Sequence, residues 1–376
     1  MKVFLNDTVL EAARARMRWV YDRFETVYVS SSGGKDSTVI LNLALEEATR
    51  RGRLPVPVVF LDQEAEWQSV VTYMRAVMDD PRVSPRWLQV PFKLFNATST
   101  TTPWLSCWDP EKQADWMRPK EPDAITENVY GTDRFHKMFG AFIRHHHPSG
   151  PACYVAGVRC EESAARMMGL TQYEAYQGET WGVRLTPKQD HFTFYPIYDW
   201  GLSDVWKAIH DHNWPYCGLY DVMYQYGVPV IQMRVSNLHH ETAVRSLFYC
   251  QEVEPQTWEK LQARLAGVHS AGQMGQDWYG PVAVPPMFAN AVEYRDYLLA
   301  HLIADPAQRA KYAKSFAAYD ARYGDDAEML AALRLTQIGV ILVNDTEGTK
   351  LTSFRAHAFM KKARKQRRLA ANGEPS

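Results

Sequence analysis

The residues best suited to chemistry stand together in Ser30-Ser31-Ser32-Gly33-Gly34-Lys35-Asp36-Ser37-Thr38. Two adjacent glycines let the backbone approach an anion with no Cβ in the way. Ser32, Ser37 and Thr38 add hydroxyls and Lys35 adds a positive charge, a donor set that suits nucleotide phosphates. Asp36 is out of place in a pure anion site, so it is expected to face a metal ion or the helix cap. The stretch is not a Walker A loop, which needs four residues between its first glycine and Gly-Lys-Ser/Thr. A plain glycine turn ahead of a helix is the alternative reading of the same residues.

The flanking pattern says what must hold this loop. An apolar, β-branched run at 26–29 precedes it, and an amphipathic segment at 37–51 follows, ending on Gly52. A strand, a glycine turn and a helix N-terminus in that order aim backbone N–H groups and the positive end of a helix dipole at one point. Upstream, Thr8-x-x-Glu11 reads as a capping box opening a helix of about four turns. Downstream, 56–61 is a second strand ending in Asp62-Gln63-Glu64, 67–78 a helix and 86–90 a third strand. Carboxylates just past a parallel strand lie on the ligand edge of an open α/β sheet. Strands alternating with helices predict a doubly wound parallel sheet.

From 91 to 150 the periodicity lapses, and this stretch is read as an insertion over the ligand edge. It carries Trp104, Trp108 and Trp116, candidates for stacking on a base. It also carries Arg144-His145-His146-His147, read as a solvated or phosphate-facing cluster rather than a metal site. A strand at 152–158 then ends in Gly157-Val158-Arg159, followed by Glu161-Glu162-Ser163 and Arg166. An arginine at a strand end offers a planar fork to a phosphate or sulfate. The Glu-Ser pair is equally consistent with a simple helix cap.

Ser32-Gly33-Gly34-Lys35-Asp36-Ser37 resembles the pyrophosphate loop of the N-type ATP pyrophosphatases and the phosphoadenosine phosphosulfate (PAPS) reductases. Gly157-Val158-Arg159-x-x-Glu162-Ser163-x-x-Arg166 is similar to the second signature of the PAPS reductase family. Pro196-Ile197-x-x-Trp200, Asp204-Val205-Trp206 and Leu219-Tyr220-Asp221 follow in the family's order. The resemblance implies an adenine nucleotide alpha hydrolase-like (HUP type) fold. It implies Lys35, Asp36 and Arg159 as catalytic residues, with Ser32, Gly33, Gly34, Ser37, Thr38, Asp62, Glu64, Arg159, Glu162 and Arg166 around ATP or PAPS. Mg²⁺ would be held by Asp36 and Asp62. Asn96-Ala97-Thr98-Ser99 with Trp104 and Cys107-Trp108-Asp109 is similar to the immunoglobulin-binding-regulator A type subgroup, which implies a ParB-like protein partner.

Within that family one branch cleaves ATP at the α-phosphate and adenylates an acceptor, which here implies a role in nucleic acid or sulfur modification. The reductase branch uses a cysteine in a Glu-Cys-Gly-x-His setting, which this chain lacks; Cys250, its last cysteine, stands in Phe248-Tyr249-Cys250-Gln251. Paired cluster-binding cysteines are missing too, so no iron–sulfur cluster is expected. A sulfonucleotide enzyme would need another thiol, with Cys107 and Cys160 as candidates. A nucleotide-sensing, DNA-binding regulator without turnover is the third reading.

Composition bounds these readings. The 376 residues carry 42 basic and 43 acidic side chains, a formal net charge of -1, so no global field favours nucleic acid or membrane. Five cysteines without a CxxC pair, no apolar run of ~18 residues and no signal-like start fit a cytoplasmic protein. The expected division is a nucleotide domain at 1–235, a mainly helical domain at 236–360 and a basic tail at 361–376. Helices are expected at 241–247, 255–265, 289–304, 306–323 and 327–333, with a glycine-rich connector at 267–280. Residues 361–368 hold six positive charges in eight positions, which fits either contact with nucleic acid phosphates or a solvated tail.

Overall fold

The computed structural model describes residues 6–99, 102, 104–186, 189–235, 237–239, 244–274, 282–342, 345, 348, 350–358 and 361. Helix α1 (Val9–Arg23) opens on Thr8, and the Thr8–Glu11 capping box forms as expected. Strand β1 (Thr26–Ser30) leads through the glycine loop into α2 (Lys35–Arg51), which begins two residues earlier than its amphipathic pattern. Gly52 closes α2 at φ 65°, a left-handed C-cap. Next come β2 (Val56–Leu61), α3 (Gln68–Met78) and β3 (Val83–Leu88). Strand β3 starts before the expected residue 86 because it includes Pro85; as an edge strand it can accommodate a missing N–H.

The stretch expected to be irregular contains regular elements. β4 (Phe92–Phe95) and β5 (Trp104–Cys107) form a small antiparallel sheet, and α4 (Phe135–His146) follows. Four-residue strands are too short to show a period. The three histidines occupy the end of α4, where cations complement the helix dipole. His145 faces Tyr130, His146 packs on Phe142, and His147 Nε2 lies 2.9 Å from the Tyr28 hydroxyl. Since α4 runs into the start of β6 (Ala152–Val155), this cluster lies at the sheet edge opposite the glycine loop. It is therefore not phosphate-facing.

After α5 (Ala164–Thr171) come β7 (Gly182–Arg184), β8 (His191–Phe194), α6 (Leu202–Asp211) and α7 (Leu219–Gln225). The main sheet has the order β3-β2-β1-β6-β8-β7 and is parallel except for β7 against β8. The chain builds outward from β1 through β2 to β3, then returns to the other side of β1 to add β6. Ligands of open α/β sheets sit at such a reversal, outside the carboxyl ends of the strands. The glycine loop leaves β1 at that point.

The remaining helices are α8 (Val244–Val253), α9 (Pro255–Arg264), α10 (Val268–Met274), α11 (Ala291–His301), α12 (Pro306–Tyr323) and α13 (Ala327–Leu342). Helix α10 occupies part of the expected connector, and α13 runs nine residues beyond its expected end. The hydrophobic cores do not divide at 235. Leu247, Cys250, Trp258, Leu261, Leu265 and Val268 belong to the same core as the sheet. A second core begins only with α11 to α13 and the helical residues 350–358, around Leu298, Tyr312, Phe316, Leu333 and Ile338. Of the basic tail only Lys361 is described, paired with Glu328; 362–376 lie outside the described residues.

Candidate functional site

The loop is shaped by close packing. Gly33 has φ 71°, and a Cβ there would lie 2.8 Å from Val70 on α3. The ladder of α2 starts with the Thr38 N–H on the Gly34 carbonyl, which leaves the N–H groups of Lys35, Asp36 and Ser37 outside it. The Tyr220 hydroxyl accepts from the Lys35 N–H at 3.1 Å, tying α7 to the loop. The Ser37 hydroxyl donates to the Gly34 carbonyl and also accepts the Ser32 N–H. Ser32 is exposed, its hydroxyl 3.4 Å from that of Ser37. The Thr38 hydroxyl is turned inward, onto the Gly34 carbonyl and the Tyr73 hydroxyl, so Thr38 shapes the loop instead of contacting phosphate.

Asp36 is the hub of the charges. Its Oδ1 accepts from Arg159 Nε at 2.6 Å and its Oδ2 lies 3.1 Å from Lys35 Nζ. Arg159 is buried, and its Nη1 also reaches Glu161 at 3.0 Å. Glu162 accepts the Arg159 N–H at 2.9 Å and pairs with Arg166, so it positions arginines around the site. Burial, and next the neighbouring Arg234 guanidinium, draw the Arg166 pKa below the usual arginine value. Sequence reasoning misses Arg234 because nothing in its local pattern marks it. Its neighbour Val235 lies 3.7 Å from where a Gly34 Cβ would sit, which places this segment against the loop.

Asp62 and Glu64 belong to a different constellation, contrary to expectation. Asp62 is fully buried; both of its oxygens lie 2.5 Å from Arg118 Nη2, and Oδ2 also accepts from Trp87 and Gln89. Its Oδ1 takes the Glu64 N–H as well. With its lone pairs so engaged, Asp62 has no vacancy for Mg²⁺. Glu64, also fully buried, is held by Arg264 from α9 at 2.5 Å and by the Trp108 N–H at 2.7 Å. Trp108 is fully buried and cannot stack on a base. Among the described residues no three His, Cys, Asp or Glu side chains form a metal-binding group. Of the two expected ligands only Asp36 fits Mg²⁺, in the manner of a single carboxylate that supplements nucleotide phosphates. Such an ion would offset phosphate charge.

The thiols separate as well. Cys107 is fully buried, and burial followed by Glu64 and Asp62 holds its pKa well above the usual thiol value. Cys160 is half-buried directly after Arg159.

Against known families, residues 26–91 and 115–226 match the phosphoadenosine phosphosulfate reductase domain. The chain carries a PAPS reductase domain. Its unmatched gap covers the β4–β5 sheet, and residues 227–350 match a domain of unknown function (DUF3440). The uncharacterised protein YbdN of Escherichia coli (strain K12) is 29% identical over 324 residues, covering 83% of this chain and 79% of YbdN. A phosphate complex of the PAPS reductase from Candida auris aligns with a TM-score of 0.36 and 16% identity, over 64% of this chain and 99% of that one. The FMN adenylyltransferase of Candida glabrata with FAD and inorganic pyrophosphate gives 0.36 and 15%, over 56% and 58%. Among the described residues no helix is long and apolar enough to cross a membrane.

Proposed function

We propose that the chain binds an adenine nucleotide with its phosphates on the glycine loop and adenylates an acceptor. The observation that carries this reading is the convergence of the α2 N-terminus, Lys35 and buried Arg159 on Asp36. An acceptor oxygen would attack the α-phosphorus while the α–β bridging P–O bond breaks and pyrophosphate leaves with the electron pair. Lys35 and the N–H groups of the first turn of α2 cradle that leaving group. Arg159 and Arg166 neutralise charge on the remaining phosphoryl oxygens. Removing one such preorganised donor typically costs about 10²–10³ in rate. Pyrophosphate release from ATP, measured with nucleic acid and small-molecule acceptors, should therefore fall at least about a hundredfold in Lys35→Ala. Equal release by the variant would end the proposal.

A sulfonucleotide-dependent enzyme is the second reading, and half-buried Cys160 beside Arg159 is the observation in its favour. Preference for PAPS with no release from ATP would select it. Binding without any turnover would select the regulator. Contact with nucleic acid through residues 361–368, and a ParB-like partner, are separate proposals. Deleting 362–376 should flatten the salt dependence of DNA binding.

A further inference from the structure

A cavity among the described residues lies apart from the glycine loop. It occupies about 750 Å³ between the outer face of α3, the turn at 216–219 and the start of α9. A second chamber of about 620 Å³ continues from it toward Trp116 and Lys120. Met117, Arg118 and Lys260 border both chambers. Small-molecule sites typically span about 300–1,000 Å³ with a few convergent polar groups on apolar walls.

Three groups on this groove lack an assigned role. Arg118 is 7% exposed; its Nη atoms serve Asp62 and the Glu64 carbonyl, but its buried Nε–H has no partner among the described residues. Glu66 is 4% exposed, and its burial beside Asp62 favours the protonated carboxyl, a second donor. Lys260 is exposed where the chambers meet, with no partner among the described residues. The nearby carboxylate of Glu254 is already engaged by the N–H groups of Gln68 and Ser69 and by Thr257. These three groups thus offer two donors and a cation, while Tyr73, Tyr216, Leu219, Met117 and Trp116 supply aromatic and apolar walls.

We infer that this groove is a second binding site, for a small anion with an aromatic or apolar body. Arg118 Nε–H and Glu66 donate to the acceptor group, and Lys260 neutralises its charge. Carboxylate and phosphate share this chemistry. The groove also touches the loop's supports: the Tyr73 hydroxyl meets both Thr38 and the Pro215 carbonyl, and Leu219 precedes Tyr220.

The test is isothermal titration of the full chain with para-nitrobenzoate and para-nitrophenyl phosphate, each in wild type, Lys260→Ala, Glu66→Gln and Lys35→Ala. Saturable binding of one probe is expected, and which one binds separates carboxylate from phosphate. Lys260→Ala should weaken it about tenfold, a change of about 1.4 kcal/mol. Glu66→Gln keeps a neutral donor and should retain binding. Lys35→Ala should leave it unchanged, so failure of the nucleotide reading does not touch this result. Absence of saturable binding, or loss in Lys35→Ala with none in Lys260→Ala, would overturn the inference.

Discussion

A Cβ on Gly157 would lie 2.5 Å from the carbonyl carbon of Asp36 and 2.8 Å from the Ser37 nitrogen. Gly157→Ala must therefore push the first turn of α2 out of place. Nucleotide affinity should drop about tenfold or more while the circular dichroism spectrum stays native; unchanged affinity would show that this turn is not the cradle. Glu66 offers a test through pH. Burial, then Asp62, raises its pKa from 4.5 to about 8, while Arg118 pulls the other way. Between those values the folded chain keeps a proton that the unfolded chain has lost, so stability falls with rising pH, by up to about 1.4 kcal/mol per unit. Glu66→Gln should gain melting temperature over wild type progressively from about pH 5 to 8, the gap levelling above that; a constant gap would refute the shift. At this scale the meeting of Lys35 and Arg159 on Asp36 was legible, because both segments follow strand ends on one edge of the sheet, while their roles remain proposals. The burial of Asp62 and Glu64 was not, because their partners Arg118 and Arg264 are 56 and 200 residues away.

Helix α9 does at element scale what no local pattern announces: it carries Arg264 into the edge of β2 to pair with Glu64. Arg264→Ala leaves a buried carboxylate without its counterion. Chemical denaturation should show a loss of about 3–5 kcal/mol, whereas a loss within experimental error would mean that Glu64 finds another partner. Glu254, just ahead of α9, accepts from the first N–H groups of α3, whose own N-cap Trp67 supplies no side-chain bond. The α/β alternation, β2 and α12 were readable from periodicity and capping. β4, β5 and the start of β3 were not, since short strands and an edge proline carry no clear period.

The whole molecule divides where its apolar surface divides. Truncation after residue 281 keeps α8 to α10 on the first core and removes only the second. That fragment should keep the association state of the full chain, melt cooperatively and retain nucleotide binding. Truncation after 235 strips Leu247, Trp258 and Leu261 from the first core and unpairs Glu64, so it should aggregate. Equal behaviour of the two fragments, followed by size-exclusion chromatography and thermal melting, would contradict this division. Composition could not reveal it, because helices of either core look alike until their contacts are known.

Holding nucleotide phosphates is the role proposed for the glycine loop. Its most direct measurement is isothermal titration of the full chain with ATP, PAPS and adenylyl sulfate in the presence of Mg²⁺, repeated with Lys35→Ala. Saturable binding of ATP, weakened at least about tenfold by the variant, is the predicted result. Failure of all three nucleotides to bind, or binding indifferent to Lys35, would contradict it.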